Sequence, residues 1–433
     1  MKSFTTLPID AQSTAALAQH GLTLGLVDTT DRTAFTAWLR ADHRGFHIAA
    51  AGDEVISASL EKLANCRTTG VWDSTAHDAV TPVATVSSWT TRMTVPGPRE
   101  VEAWAISSVT VAPTHRRKGI ARALLEAELR AASALGLPLA TLTVSESTIY
   151  GRFGFAPATF AAELTIDTRR ATWTGPSVPG RVHFISTEQL RELLPELHKR
   201  IRATQVGEID AWDLRWDGLT GLTTDDKDAA RSLRAIRYDD VDGTVRGLAL
   251  YRVSDGAADF AAHTLTVSYL ATETDEAYAA LWRFLLEVDL VSTLKAADRP
   301  VDEPVMWQVA DMRAVRRAPY DHVWTRILDV PAALASRGYA AALDTVINVV
   351  DDLGFTPGTF ALTISNGSAT AVPTDAAPAL VMRINELSAL YLGGVSASAL
   401  VAAGRIDERE PGAAAALDAA FRTSRAPWLS FWF

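Results

Sequence analysis

The sequence predicts an α+β protein built from three domains. Its 433 residues are almost three times the roughly 150 residues of an ordinary domain. Two stretches rich in loop-forming residues, Ala171–Gly180 and Ala296–Pro304, interrupt the chain. Around them, helix-like and strand-like segments alternate, which is typical of sheets covered by helices. We therefore expect domains at residues 1–170, 171–304 and 305–433.

The composition excludes several classes of protein. Hydrophobic residues make up 48% and charged residues 21% of the chain, which excludes intrinsic disorder. The single cysteine, Cys66, excludes a disulfide framework and a zinc cluster built on thiolates, and it suits a reducing compartment. The first twenty residues contain one lysine and no continuous apolar core, so we expect no signal peptide. No apolar run reaches the ~20 residues needed to cross a bilayer. We predict a cytoplasmic protein without membrane insertion.

The charge balance indicates the kind of partner. Lys and Arg total 41 against 51 Asp and Glu, which gives a net charge of −10. A chain this acidic is a poor nonspecific binder of nucleic acid and attracts cations. We therefore expect no nucleic-acid partner, and we consider a cationic small molecule a plausible substrate.

The segment around residue 115 carries the clearest pattern of structural elements. Ile106–Val111 alternates as a strand, and Pro113 ends it because proline lacks the ladder donor. After Gly119, apolar residues recur at helical spacing. They are Ile120, Ala123, Leu124, Ala127 and Ala131. The order strand, loop, helix is therefore predicted here.

The loop between this strand and helix suits an anion. Arg116, Arg117 and Lys118 supply positive charge, and Gly119 allows the backbone to approach a phosphate closely. The helix that follows offers free N–H groups and the positive end of its dipole. The alternative is a solvated basic run that only caps a helix; the flanking elements favour the anion site.

A weak internal repeat places a second copy of this pattern in the middle of the chain. Alignment of Val109 with Val267, at an offset of 158 residues, superposes strand, loop and helix without a gap. The second loop carries Glu273, Asp275 and Glu276 where the first carries cations. We expect the second copy to repel an anion that the first copy binds.

Later segments complete the predicted domains. Residues 233–238 and 245–253 read as strands joined by a turn-rich DDVDGT, and 277–290 read as a helix. After about Pro319, an apolar run, an alternating segment and two helical segments indicate a third compact α+β unit.

The motif V-x-V-x-P-x-x-R-R-x-G-I-A at residues 109–121 resembles the acyl-CoA pyrophosphate loop of GCN5-related N-acetyltransferases (GNAT). Within that superfamily, the amino-acid sequence of the motif is most similar to the Eis (enhanced intracellular survival) family. Segments at 145–159, 249–253, 324–340 and 390–394 extend this resemblance over the chain after about residue 100. The family usually has RRRG in the loop, and Lys118 keeps the charge. The resemblance implies an active GNAT domain, a degenerate GNAT-like domain and a sterol-carrier-protein-like domain.

The resemblance also implies acetyl-CoA as acetyl donor and assigns residues to it. The pyrophosphate would be held by the backbone of the loop, and the pantetheine and thioester carbonyl by the backbone of a strand that splays from its neighbour. Two further residues would line the cleft. These cofactor-binding residues are Val109, Thr110, Val111, Arg117, Lys118, Gly119, Ile120, Ala121, Arg122, Ser145 and Glu146.

Two residues carry the implied chemistry. In the family's motif Tyr150 is the general acid, and a phenol with a pKa near 10 is a reasonable donor to a thiolate. The family's general base is the C-terminal carboxylate, here that of Phe433. The alternatives are that Tyr150 packs beside Phe153 and Phe155 as an ordinary aromatic residue, and that the aromatic terminus closes the third domain.

Three other candidates are weaker. His43 and His47 have the i, i+4 spacing of a metal pair, but Gly45 intervenes and no carboxylate pattern follows, so we expect no metal. We interpret His115 as a solvated loop residue and Cys66 as a packed small side chain.

We therefore predict an acetyl-CoA-dependent N-acetyltransferase that acts on amines of polycationic small molecules such as aminoglycosides. The alternatives are a protein lysine acetyltransferase with the same site and a lipid- or sterol-binding protein that uses the third domain. The family further implies a homo-oligomer, with a hexamer as its usual state.

Overall fold

The computed structural model describes residues 4–223, 226–256 and 259–433. Strands and helices alternate through them in three mixed sheets, which confirms the α+β prediction. The strands are β1 (Leu22–Leu26), β2 (Arg67–Asp73), β3 (Ala84–Val95), β4 (Arg99–Val111), β5 (Leu139–Thr143), β6 (Ala156–Pro157), β7 (Phe160–Asp167), β8 (Arg181–Ile185), β9 (Leu233–Asp239), β10 (Val245–Ser254), β11 (His263–Thr272), β12 (Val291–Pro300), β13 (Val315–Asp321), β14 (Val323–Ile327), β15 (Leu343–Val350), β16 (Gly358–Ser365), β17 (Ser368–Pro373), β18 (Leu380–Arg383) and β19 (Ile406–Glu408).

Several helices begin at a residue whose side chain caps the first turn. Thr274 caps one helix with its hydroxyl, and Ser186 and Gln189 form a capping box at another. The helices are α1 (Ala11–Ala18), α2 (Arg32–Gly45), α3 (Asp53–Leu63), α4 (Ile120–Ala134), α5 (Ser147–Tyr150), α6 (Thr187–Arg202), α7 (Asp213–Leu219), α8 (Lys227–Ser232), α9 (Asp275–Leu286), α10 (Val330–Ser336), α11 (Ile384–Leu390), α12 (Ala397–Ala402) and α13 (Ala413–Phe421).

The first domain has a seven-stranded sheet in the order β1-β2-β3-β4-β5-β14-β6. Only β4 and β5 run parallel, and α4 connects them. Of the predicted apolar face of α4, Ile120, Ala123 and Leu124 are buried and pack into one core with Trp104 and Leu142, whereas Ala127 and Ala131 are only half-buried. The buried face also includes Leu125, which the predicted spacing left out. The predicted strand, loop and helix are therefore confirmed.

The second domain repeats this arrangement. Its seven strands follow the order β13-β7-β12-β11-β10-β9-β8, with β11 and β12 parallel and joined by α9. The predicted hairpin is β9–β10, and the helix expected at 277–290 is α9, which begins two residues earlier and ends four residues earlier.

The third domain has a five-stranded sheet in the order β17-β16-β15-β18-β19. It contacts the first domain through α11 and β14, where the Thr325 hydroxyl donates to the Ser388 carbonyl at 2.8 Å. Close by, Arg326 and Asp351 form a fully buried ion pair at 2.7 Å. A buried pair of this kind tolerates little displacement of either partner.

The sheets place the domain limits at other residues than 170 and 304. Strand β7 pairs with β12 and β13 in the second sheet, although it precedes residue 170. Strand β14 returns to pair with β5 in the first sheet. The stretch Ala171–Gly180 connects β7 to β8 inside the second domain, and residues 296–300 belong to β12. The stretches rich in proline and glycine do not coincide with the domain limits, because those limits are set by strand pairing between residues that are distant in sequence.

Candidate active site

The two parallel strands of the first sheet part in the middle of the domain. Strands β4 and β5 pair only from Ala103 to Ala105, although β4 continues along β3 to Val111. At the point of separation, Ser108 and Val109 bulge out of the β3 ladder, and Ser108 has a φ of 56°. The separation leaves main-chain groups of β4 without a partner on β5, and these groups are free for a ligand.

The predicted strand residues line this gap. The Thr85 hydroxyl bonds the Ser108 carbonyl at 2.8 Å and the Thr110 hydroxyl at 2.6 Å, which fixes the bulge from the β3 side. Thr110 is buried, while Val109 and Val111 are half-buried against the core of the domain. This is the splayed strand that the resemblance implies.

Helix α2 and its last residue, Gly45, lie against the bulge. A Cβ on Gly45, the last residue of α2, would lie 2.4 Å from the Thr110 Cβ, so only glycine fits there. From the same helix, Asp42 hydrogen-bonds Ser108, and burial raises the pKa of this carboxyl to about 6. No pattern in the sequence indicated either role.

The loop after β4 ends in an uncapped helix N-terminus. Gly119 is the N-cap of α4, with a φ of 74° and no capping side chain. A Cβ built on Gly119 would meet no atom within 4 Å, so the space in front of the helix is open. The first four N–H groups of a helix lack internal acceptors. The N–H groups of Ile120, Ala121 and Arg122 are therefore among the donors that an anion can use.

The cations of this loop carry no counter-charge. Arg116 and Arg117 are exposed and Lys118 is half-buried, and within residues 4–223, 226–256 and 259–433 none of the three has a carboxylate within 4 Å. Arg122 lies 3.8 Å from Glu126 one turn on. Three free cations and an open helix N-terminus fit a pyrophosphate.

His115 fixes the base of this loop. Its Nε2 lies 3.1 Å from an Asp73 carboxylate oxygen of β2, and its side chain is mostly buried, so the expectation of a solvated residue is wrong. Hydrogen bonds from Thr75 and then His115 hold the pKa of Asp73 well below its usual range.

The other predicted contacts lie beyond the end of β5. Ser145 and Glu146 are exposed in the turn that leads into α5, and α5 ends at Tyr150. The Tyr150 ring is 7% exposed and packs in the same core as Ile120 and Val144, at 6.3 Å from the Phe155 ring. The apolar packing considered as an alternative is therefore real.

The hydroxyl of Tyr150 is the reactive group of this side chain. Among the described residues it has no hydrogen-bond partner, so it can serve a ligand. Burial, and then the charge of Glu146, raises its pKa to about 12. The phenol therefore stays protonated throughout the physiological range of pH.

The turn after Tyr150 is held by residues far along the chain. The Asn385 amide of α11 donates to the carbonyls of Gly151 at 2.8 Å and Phe155 at 2.9 Å. Arg326 donates to the Phe153 carbonyl at 2.8 Å. The third domain thus fixes the segment that carries Tyr150, a role that the sequence did not reveal.

Phe433 reaches the same strand end. Its main-chain oxygen accepts a hydrogen bond from the Thr143 hydroxyl at 2.7 Å, and its ring packs edge-on against Trp89 at 5.6 Å. Thr143 is the last residue of β5, two residues before Ser145. The structure therefore brings Phe433, the β4–β5 gap and the loop to Tyr150 to one end of the sheet.

The second copy of the motif lacks the loop. The connection from β11 to α9 has two residues, Glu273 and Thr274, whereas the one from β4 to α4 has eight, 112–119. The gapless repeat alignment is therefore wrong at this point. Thr274 caps Ala277 at 3.2 Å, and Glu273 bonds Arg200 at 3.0 Å. The second copy therefore lacks the long basic loop, and a threonine side chain occupies one of the first N–H groups of its helix.

The remaining candidates have local roles. Helix α2 ends before His47, which has a φ of 57°, and His43 Nδ1 lies 2.8 Å from the Ala49 carbonyl, so the two imidazoles do not share a helical face. Burial raises the pKa of the Cys66 thiol to about 11, which suits a packed side chain. Within the described residues, no helix combines the length and apolar character that a membrane span requires.

Comparison with known proteins agrees with this domain order. Acetyltransferase (GNAT) domain models match residues 27–158 and 207–327, and a sterol carrier protein domain model matches residues 330–430. An uncharacterized N-acetyltransferase of Streptomyces avermitilis is 35% identical over 90% of this chain and 94% of its own length. The N-acetyltransferase Eis of Mycobacterium tuberculosis is 36% identical over 76% of this chain and 80% of its own.

A solved structure extends the similarity to three dimensions. Eis1 from Mycobacterium abscessus superposes with a TM-score of 0.81 at 30% identity and covers 95% of this chain and 100% of its own. A GCN5-related N-acetyltransferase from Anabaena variabilis has a TM-score of 0.78 at 18% identity, with 95% and 100% coverage, and shares the fold.

Proposed function

Because the chain belongs to the Eis family of GCN5-related N-acetyltransferases, we propose that it transfers the acetyl group of acetyl-CoA to an amine of a polycationic small molecule such as an aminoglycoside. One observation supports the binding of acetyl-CoA by the first copy. Within the described residues, that copy alone combines a separated pair of parallel strands, free cations and an open helix N-terminus. The backbone of Arg117–Arg122 would hold the pyrophosphate, and Val109–Val111 the pantetheine and thioester carbonyl, beside Ser145 and Glu146.

The chemical step needs a proton acceptor and a proton donor. The amine nitrogen forms a bond to the carbonyl carbon, and the proton that it loses passes to the carboxylate of Phe433, directly or through water. The C–S bond then breaks, and the Tyr150 hydroxyl donates to the leaving sulfur. A pKa of about 12 lies above the ~8.5 of a free thiol, so full proton transfer from Tyr150 is uphill. We therefore expect Tyr150 to act chiefly as a hydrogen-bond donor as the negative charge develops.

The acceptor class follows from charge. A net charge of −10 raises the local concentration of polycations, although the donor loop itself is basic. A panel of four acceptors tests this: an aminoglycoside, a linear polyamine, a lysine-containing peptide and a monoamine with an uncharged carbon chain. For each acceptor, a chromogenic disulfide reagent detects the CoA thiol that the reaction releases. We expect the first two to react with the highest kcat/KM. A clear preference for the peptide would instead favour a protein lysine acetyltransferase.

The lipid-binding alternative is tested separately. Buried charges occupy the inside of the third domain: Arg337 is fully buried and donates to the carbonyls of Leu390 and Phe421. A core crossed by a guanidinium is a poor site for a sterol. A thermal-shift series with acetyl-CoA and with sterols should show stabilisation by acetyl-CoA alone. Stabilisation by sterols alone would contradict the proposal.

We also propose that the protein works in the cytoplasm as a homo-oligomer, with a hexamer expected by analogy with the family. Its single cysteine suits a reducing compartment. Sedimentation at micromolar concentration tests the assembly, and a monomer there would contradict it.

A further inference from the structure

The second copy also contains a cleft between its parallel strands. Strands β11 and β12 pair up to Val267 and Ala296 and then separate, as β4 and β5 do beyond Ala105. A cavity of about 90 Å³ lies there, between the ends of these strands and α9. We call this space the second cleft. Its lining includes Tyr269, Tyr278 and Arg299. By topology, the second cleft corresponds to the donor cleft of the first domain.

A segment of the chain itself forms one wall of the second cleft. Residues Arg425–Phe431 belong to the second domain by their contacts, and several of them line the cavity. Trp428, 8% exposed, donates through Nε1 to the Asp298 carbonyl at 2.8 Å, and its ring lies 5.1 Å from the Arg299 guanidinium. The Trp428 N–H donates to the Val206 carbonyl at 2.8 Å.

A buried carboxylate receives the next part of this segment. Both oxygens of Glu208 accept hydrogen bonds from Ser430, one from its N–H at 3.1 Å and one from its hydroxyl at 3.2 Å. Glu208 is 1% exposed, so little solvent competes for these bonds. Phe431 follows, 1% exposed, with the Arg215 guanidinium 4.0 Å from its ring.

These contacts end two residues before Phe433. A chain terminus normally frays unless something ties it down. Here a buried tryptophan, a two-bond contact to Glu208 and a buried phenylalanine fix seven consecutive residues. Fixing them leaves only Trp432 between the fixed segment and Phe433, which shortens the stretch of chain that is free to move with the terminal carboxylate.

We propose that the second GNAT-like domain has kept its cleft as a docking site for the chain's own segment Arg425–Phe431, and that Glu208 and Trp428 are positioning residues for Phe433. The inference rests on the proposed function for its catalytic consequence and not for the docking itself. It gives the degenerate copy a role: a segment of the protein takes the place of a donor molecule.

The docking can be measured without an activity assay. Carboxypeptidase A removes aromatic residues from accessible chain ends, and the last three residues here are Phe431, Trp432 and Phe433. We expect slow release of Phe433 from the native protein and at least tenfold faster release from Glu208→Ala and Trp428→Ala. Arg283→Ala, which removes an exposed i, i+4 ion pair on α9, should release Phe433 at the original rate.

The catalytic consequence is read in the same variants. We expect kcat to fall about tenfold or more in Glu208→Ala and Trp428→Ala, while the Kd for acetyl-CoA, measured by calorimetry, stays the same. Glu208→Gln keeps an acceptor for the Ser430 N–H and should recover part of kcat and of the protection. Trp428→Ala leaves the wall of the second domain unaltered, so it tests the docking even where Glu208→Ala does not fold.

The outcomes separate the two proposals. Release of Phe433 at the original rate from folded Trp428→Ala would overturn the docking site. Faster release with unchanged kcat would overturn the positioning role. A wild-type protein that transfers no acetyl group to any amine would overturn the proposed function, while the carboxypeptidase result would still decide whether the segment is docked.

Discussion

The two GNAT-like copies have the same kind of sheet and differ in the connection that leads from the first of the two parallel strands into the following helix. Both have an antiparallel pair, a parallel pair that separates and a helix between the parallel strands. In the first copy the connection has eight residues and ends in a glycine that provides no capping side chain. In the second copy it has two residues and ends in a threonine that caps the helix. We therefore expect donor binding to depend on the length, charge and capping of this one loop and not on the sheet that the two copies share.

The largest expected effect concerns the acid that we assign to the first copy. Tyr150→Phe should lower kcat by about a hundredfold or more, because the leaving sulfur loses its donor, while acetyl-CoA affinity is retained. Steady-state kinetics and calorimetry measure the two quantities. Tyr251→Phe removes another buried hydroxyl, in the second copy, and should leave kcat unchanged. Equal losses in both variants would show that the Tyr150 effect is structural.

The next prediction tests the loop itself. Gly119→Ala should weaken acetyl-CoA binding about tenfold or more, because the new methyl group enters the open space in front of the helix and the left-handed φ disfavours alanine. Gly243 in the β9–β10 turn has a φ of 79° and equally open surroundings, so Gly243→Ala carries the same strain away from the site. Calorimetry should show weakened binding in the first variant alone. The same Kd in both would contradict the role of the loop.

A smaller effect is expected where the third domain holds the turn after Tyr150. Asn385→Ala removes both bonds to this turn and should lower kcat several-fold with little change in the KM for acetyl-CoA. Asn348→Ala, which removes a bond to Thr359 within the third domain, serves as the control. A kcat that falls equally in both variants would indicate general loosening of that domain.

The smallest expected effect is on the pH dependence of the free energy of unfolding. It concerns one buried carboxyl group in each copy. Burial raises the pKa of Asp42 to about 6, above its ordinary value of 3.8. Between these values the folded state binds more protons than the unfolded state, so the free energy of unfolding falls as pH rises. Asp42→Asn removes this loss. Its stability relative to wild type should grow from about pH 4 to pH 6, by about 1–3 kcal/mol, and stay constant above.

Denaturant unfolding at several pH values measures this difference. A constant difference between pH 4 and pH 7 would show that Asp42 is not the group that titrates beside the bulge. Burial also raises the pKa of Glu208 in the second copy, to about 7, so Glu208→Gln should show the same dependence over a wider range, up to about pH 7.

The sequence predicted what is local and missed what is long-range. The β4–loop–α4 unit followed from alternation, a proline, three cations and helical spacing within thirty residues. The pairing of β14 with β5 and the bonds from Asn385 to Gly151, which is 234 residues away in sequence, have no local signal. The shortened second loop was hidden because a gapless alignment forces equal lengths.

The donor site and the second cleft illustrate the same limit. The residues from Val109 to Arg122 were assigned through a motif, and in the structure they run from the bulge of β4 through the loop to the first turn of α4. The aromatic residues of the terminus suggested only that it closes the third domain, whereas the partners of segment Arg425–Phe431, Glu208 and Asp298, lie more than a hundred residues before it. Composition can indicate that a segment is buried without identifying what it packs against.

The central claim is that one copy binds the donor and the other does not. Calorimetric titration of the full-length protein with CoA tests it most directly, with Gly119→Ala titrated in parallel. We predict saturation at one CoA per chain and a marked loss of affinity in the variant. Two CoA molecules per chain, or one whose affinity is unchanged in Gly119→Ala, would contradict the account.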